Sequence, residues 1–390
     1  MENIMKKIRK KLIAHYYRQF GAVFIMILFG AAALNLAIPD RRYSSSEKRN
    51  LTRMPEISLE ALTSGEFMDQ TEDYLADQFV LRDTWMRIRT GIDRMLGKVE
   101  SQGVYYGKDC YLIERFDGAN EEEQKLNQDA VIAFKEKYPE IEMYFMLVPN
   151  CVSLQCELLP PDALTSDQNR YIDTFYEAVD SAVNVLDVRP ALKSTGEEQQ
   201  IYYRTDHHWT TDAAFSAYQS VQEEMGLLSE ASDYESYLVC SDFVGSLASK
   251  SGFFAKIKDR ISVYLPEEQT VDFVVTYDEQ MKKTVSCFQM DYLKSDDPYQ
   301  IFFGGNHPQI TIETTADTNR KLLIFKDSYA NCLIPFLVPE FKLITVVDPR
   351  YYYNDIDALV TANSYTDVLY VYNVNTFAED NNLRLVLRNE

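Results

Sequence analysis

The sequence predicts an α/β protein, a three-layer α/β/α domain around a mostly parallel sheet, preceded by one N-terminal transmembrane helix. Three observations carry this. A basic tail runs straight into an uncharged apolar stretch near the start of the 390-residue chain. From about residue 120, amphipathic helical segments alternate with short apolar runs, the pattern of parallel strands with helices on both faces. One of the last runs, KLLIF, ends on a polar turn, and open α/β sheets gather functional groups at such strand ends.

Composition agrees. Hydrophobic content of 46% and charged content of 25% are those of a globular protein. The net charge of −21 argues against general nucleic-acid binding, because a phosphate backbone would be repelled. Tyr (27) and Phe (21) are abundant, which suits carbohydrate contact and equally suits an aromatic core. None of the six cysteines forms a CxxC pair. Cys151 and Cys156 are close enough for a local disulfide, but buried thiols are the simpler expectation.

Taken in order, residues 1–19 form a basic tail with Lys6, Lys7, Arg9, Lys10, Lys11 and Arg18. Residues 20–38 (FGAVFIMILFGAAALNLAI) form the transmembrane helix, since about twenty apolar residues span the hydrocarbon core. The basic flank keeps the N-terminus cytoplasmic and exports the rest. A cleaved signal peptide is the alternative, with Ala31-Ala32-Ala33 as small residues for cleavage. Residues 39–100 hold a polar juxtamembrane linker to about Pro55. One or two amphipathic helices over Phe67–Leu96 follow, expected to dock on the main domain. The main domain is residues 101–390.

Within it, Gly103–Leu112 reads as a hairpin, Glu121–Tyr138 as a helix, and Glu142–Val148 as a buried strand. Thr165–Ala182 is helical and Val183–Val188 a short strand. A helix capped by Thr210 or Thr211 runs to about Met225. Thr270–Tyr277, Thr284–Phe288 and Gln309–Glu313 read as strands, with Gly304–Pro308 a tight loop between the last two. Lys321–Phe325 is a strand, Lys326–Tyr329 a turn, and Ala330–Leu337 a helix. Strands at Leu343–Asp348 and Thr366–Tyr372 follow, separated by a helix over Asp355–Thr361.

Chemistry concentrates in Thr205-Asp206-His207-His208-Trp209-Thr210, which holds two of only four histidines. In extended backbone, residues two apart share a side, so Asp206 and His208 project together and His207 points away. A carboxylate beside an imidazole fixes its tautomer and stabilises the imidazolium. Ser328, at a strand end and a helix start, is the matching nucleophile, with backbone N–H groups facing a developing oxyanion. Simple helix capping by Ser328 or Asp327 is the bland reading of that turn. Trp209 either lines the site or belongs to the core. A metal site using Asp206, His207, His208 and His307 is the main rival, but there is no HExxH and no i,i+4 histidine spacing.

The Asp-His-His-Trp tetrad, with a downstream strand–Lys-Asp-Ser-Tyr–helix, resembles the DHHW family. That family is related to the alginate O-acetylation proteins AlgX and AlgJ, and the resemblance spans about Ser44 to the C-terminus. It implies an SGNH-hydrolase-like α/β/α fold and a Ser-His-Asp triad, with the acid at Asp206, the base at His208 and the nucleophile at Ser328. It implies an O-acyl, in the first instance O-acetyl, transferase or esterase acting on a cell-surface or secreted polysaccharide. An integral-membrane acyltransferase partner would supply the acyl group. No cofactor or metal is called for. The alginate proteins carry Thr where this chain has His207, which marks His207 as non-catalytic. Asn373, after DVLYVY, is the candidate Asn of the oxyanion hole, with Gly304 and Gly305 the candidate glycines. Trp209, Tyr329 and Asn373 are the candidate substrate contacts. The chain departs from the family in having Lys326-Asp327 before Ser328 where SGNH esterases have Gly-Asp. The alternatives are a non-catalytic glycan-binding or assembly protein that keeps the fold, and a metal-dependent hydrolase.

Overall fold

A computed structural model of the chain describes residues 2–44, 49–55, 57–58, 61, 64–227, 234–267 and 271–389. The chain divides into two compact units, residues 1–96 and 97–390.

The first unit opens with a helix, Glu2–Ala37. Its stretch from His15 to Asn35 is long and apolar enough to cross a membrane, and none of it is buried. This stretch begins earlier than the uncharged run, taking in Arg18 near its start. The helix stops two residues before Pro39, whose ring cannot continue it. Tyr43–Ser44 (β1) pairs antiparallel with Arg49–Asn50 (β2). Two helices follow, Glu66–Gln78 and Arg82–Met95. Leu81 turns the chain between them in a left-handed conformation, φ 57°.

The second unit starts with a small antiparallel sheet, Glu100–Ser101 (β3), Val104–Tyr106 (β4) and Leu112–Glu114 (β5). Its main sheet has eight strands. In chain order they are Glu142–Val148 (β6), Asn184–Val185 (β7), Phe273–Tyr277 (β10), Lys282–Thr284 (β11), Gln309–Thr314 (β12), Lys321–Lys326 (β13), Leu343–Val347 (β14) and Asp367–Asn373 (β15). In space the order is β11-β10-β12-β14-β13-β15-β6-β7. Tyr234–Phe243 (β8) and Asp259–Pro266 (β9) form a separate two-stranded ribbon. The five strands from β14 to β7 are parallel, as helical crossovers require.

The other three strands are antiparallel to their neighbours. No helix separates β10 from β11, and hairpin-linked strands pair antiparallel. The expected strand over Thr284–Phe288 ends at Thr284, and Phe288 makes only an isolated bridge to Phe302. Residue 270, the start of another expected strand, lies outside the described residues.

Phe325, Tyr370 and Phe145 occupy one register position on β13, β15 and β6. Their rings stack side by side, 5.3 Å and 4.9 Å between centroids. The helices Glu121–Lys137, Gln168–Val179 and Val374–Glu379 press Phe134, Phe175 and Phe377 onto this row. Such aromatic contacts add to the area buried in the core. Because side chains alternate along a strand, Ile324 and Lys326 face the opposite side of the sheet. The parallel run of β6, β15 and β13 brings their carboxyl ends to one edge. Asn150, Asn373 and Ser328 gather there.

Candidate active site

The Ser328 turn is built by Asp327. Its buried carboxylate accepts a bond from Tyr329 N at 2.8 Å, which starts a 3-10 helix over Ser328–Cys332. The other oxygen accepts from Asn373 N at 2.9 Å and Asn373 Nδ2 at 2.5 Å, tying the turn to the end of β15. Burial pushes the Asp327 carboxyl pKa upward. The expected helix from Ala330 is split in two, this 3-10 turn and a short α-helix Ile334–Leu337 with Pro335 in its first turn.

The Asp206–His208 segment is a run of bends, closed by a bridge between Tyr202 and Trp209, and is not extended strand. Asp206 and His208 still converge, for a different reason than strand alternation. One carboxylate oxygen of Asp206 accepts both the backbone N–H of His208 at 3.0 Å and its ring Nδ1–H at 2.6 Å. The other accepts from Ser246 N at 2.6 Å and Ser246 Oγ at 2.8 Å. Four donors thus hold Asp206, which is buried.

With Nδ1 protonated, the free Nε2 of His208 lies 2.8 Å from Ser328 Oγ and accepts its hydroxyl proton. Ser328 itself is half-buried. Tyr299 stacks on the His208 ring at 3.9 Å, nearly parallel. Burial, and then the neighbouring His207, drive the His208 pKa down to about 4 despite Asp206. The ring is therefore neutral near pH 7. A neutral imidazole, oriented by a carboxylate and bonded to a serine hydroxyl, can take that proton as the oxygen attacks.

His207 does not point away. Its ring lies 3.9 Å from that of His208, and its Nδ1–H donates to Ser246 Oγ at 2.7 Å. Among the described residues, Asp206, His207 and His208 form a cluster that could hold a metal, with ligand atoms within 4.8 Å of one another. The nitrogens of His208 already serve Asp206 and Ser328. His307 stands apart, with Nε2 bonded to Phe303 O.

Three expected substrate contacts have other work. Trp209 and Tyr329 are fully buried. The Trp209 indole N–H donates to Tyr329 O at 3.0 Å, and the Tyr329 hydroxyl donates to His207 O while accepting from Asn150 Nδ2 at 2.9 Å. These bonds tie the Ser328 turn to the histidine turn. Asn373 donates its side-chain N–H groups to Asp327 and Thr376, so its amide is not aimed at an oxyanion. Lys326, where SGNH esterases have Gly, is buried and donates to Asp348 at 3.3 Å and Asn306 at 2.8 Å. Gly304 and Gly305 both have positive φ and form a turn against Tyr292 and Gln300.

The sequence did not single out Gly245, Ser246, Asp259 or Tyr299. Asp259 accepts Arg204 N at 2.8 Å, Thr205 N at 2.8 Å and Thr205 Oγ1 at 2.6 Å, which sets the bend ahead of Asp206. All six cysteines are free.

Residues 105–291, just under half the chain, match the family "SGNH hydrolase-like domain, acetyltransferase AlgX". The match includes Asp206 and His208 and ends before Ser328. A DHHW family protein from Eubacterium siraeum DSM 15702 has a TM-score of 0.65 and 25% identity, covering 75% of this chain and 97% of its own. Bacillus cereus PatB1, solved with a sulfonyl adduct, has a TM-score of 0.61 and 22% identity over 71% of this chain and 96% of its own. The O-acetyltransferase domain of Pseudomonas putida AlgJ is more distant, with a TM-score of 0.43 and 14% identity over 74% and 99%. No curated protein matches the chain. The chain thus carries an SGNH hydrolase-like α/β domain that resembles the DHHW family protein and the AlgX acetyltransferase domain.

Proposed function

We propose that the protein is a membrane-anchored, extracytoplasmic O-acyltransferase, in the first instance an O-acetyltransferase, acting on a cell-surface or secreted polysaccharide. The single observation that carries the reading is His208 bonded at once to Asp206 (2.6 Å) and to Ser328 (2.8 Å). The match to an acetyltransferase family supports acyl transfer as the reaction class. The apolar helix near the N-terminus supports the anchor, with the N-terminus cytoplasmic and the site outside.

In this mechanism Ser328 Oγ attacks the acyl carbonyl carbon, and its proton passes to His208 Nε2. Asp206 stabilises the imidazolium. As the tetrahedral intermediate collapses, the donor's oxygen leaves with that proton, and the acyl group remains on Ser328. A sugar hydroxyl then gives its proton to His208 and attacks the acyl-serine, and His208 passes that proton to Ser328 Oγ as the acyl group leaves it. Water in the sugar's place makes the same residues an acetylesterase. An integral-membrane acyltransferase would deliver acyl groups to the outer side.

Release of p-nitrophenol from p-nitrophenyl acetate by the full chain tests this. Ser328→Ala and His208→Ala should each abolish turnover, and EDTA should change nothing. Turnover by Ser328→Ala would sink the nucleophile assignment. Loss with EDTA would favour a metal held by the Asp206, His207 and His208 cluster.

A further inference from the structure

The helix Arg82–Met95 is inside out for a helix in water. Leu81 and, along the helix, Trp85, Ile88, Ile92 and Met95 recur at spacings of four, three, four and three residues, which places them on one face. Each is 47–89% exposed. Among the described residues, the buried ones of the same hairpin are polar, Thr90 on this helix and Asp77 on the preceding one. Asp77 accepts Thr52 N at 2.9 Å and pairs with Arg82 at 3.7 Å. The apolar face therefore looks outward, and polar groups hold the inner side.

The position of this face follows from hydrogen bonds within the same unit. Val80 N, just ahead of the helix, donates to Asn35 Oδ1 at 2.6 Å. Asn35 closes the apolar stretch that starts at His15. Gln78 is bonded both ways to Arg41, N–H to Gln78 Oε1 and Gln78 Nε2 to Arg41 O, each at 2.9 Å. The Tyr74 hydroxyl donates to Asp40 at 3.0 Å. The hairpin is thus pinned where the apolar helix ends, at the level where a bilayer would give way to water. An open cleft of about 480 Å³, lined by Leu75, Phe79 and Trp85 among others, continues the apolar surface onto the preceding helix.

We infer that the Leu81–Met95 face is a second membrane contact, lying in the plane of the outer phospholipid interface beside the anchor. A helix with a wide apolar face and a cation such as Arg89 at its flank settles at the boundary of headgroups and acyl chains. Tryptophan favours that depth. A coiled coil with a second copy is the competing occupant. Two heptads are short for one, since a stable coil takes at least about three. This inference rests on the anchor proposed above.

The chain's two tryptophans make it testable, because Trp209 is fully buried and Trp85 is not. The full chain is reconstituted into phosphatidylcholine–phosphatidylglycerol vesicles, and the emission of Trp85→Phe is subtracted from that of the wild type. The difference spectrum should be blue-shifted. It should lose more intensity to lipids brominated near the headgroup than to lipids brominated at the chain end. Protein that floats with vesicles while the Trp85 emission stays red and unquenched overturns this inference and leaves the anchor standing. Blue-shifted emission indifferent to bromine means that protein covers the face, and also overturns it. Protein that does not float overturns the anchor, and this contact with it.

Discussion

Gly245 and Asp206 are in such close contact that a Cβ on Gly245 would lie 2.2 Å from the Cβ of Asp206. Gly245 has φ −89° and ψ −173°, which alanine adopts without strain, so Gly245→Ala acts by contact alone. The methyl must displace Asp206, and with it the His208 ring. A displacement near 1 Å in a reacting group costs roughly a hundredfold in rate. We expect kcat/KM for p-nitrophenyl acetate to fall by about that factor while far-UV circular dichroism stays unchanged.

The pH dependence follows from His208. Its ring stays neutral down to about pH 4, so kcat/KM should be level through the neutral range and fall on an acid limb centred near 4. A limb near the ordinary histidine value of about 6.5 would mean that water reaches the ring. Stability shares this sign. An unfolded histidine takes its proton near 6.5, while the folded one waits until about 4, so between those values the unfolded chain binds more protons. Stability associated with this ring is complete above about 6.5 and declines as pH falls toward 4. Thermal melts across that window should show the decline, and His208→Gln should flatten it.

Asp259 is the acceptor that shapes the turn before Asp206. Asp259→Ala leaves Arg204 N, Thr205 N, Thr205 Oγ1 and the Gln200 Nε2 bond at 3.1 Å without this partner. Buried donors left unpaired cost about 1–3 kcal/mol each at most sites, so the melting temperature should drop measurably. Activity should fall further than stability at a temperature where the variant is still folded, because the lost bonds define the approach to Asp206.

Tyr329→Phe separates a structural tyrosine from a substrate contact. The ring stays, but His207 O and Asn150 Nδ2 each lose a partner. We expect a loss of about 1–3 kcal/mol in urea denaturation and a lower kcat with KM unchanged. A raised KM with intact kcat would return Tyr329 to the substrate.

The candidate reactive groups were legible because short-range chemistry marks them. An acid two residues before a histidine, and a serine at the end of an apolar run, are local patterns, and Asp206, His208 and Ser328 do come together. What supports them was not legible. Ser246 reaches Asp206 from 40 residues away, and Tyr299 stacks on His208 from a 3-10 turn more than 90 residues on. Nothing near either residue in sequence announces the contact. Trp209 and Tyr329 misled because an aromatic beside a reactive residue reads the same whether it faces substrate or core. Asn373 sat at the right strand end, but its amide is taken by Asp327. The parallel half of the sheet was visible through its crossover helices, and the only trace of the antiparallel half is the lack of α-helices between β10, β11 and β12.

β15 is the last strand in the chain, yet it lies between β13, which leads to Ser328, and β6, which leads to Asn150. Until residues 367–373 arrive, the sheet has no seam between its two halves. A chain clipped before Asp367 loses both Asn373 donors to Asp327, the bonds that fasten the Ser328 turn to the end of the sheet.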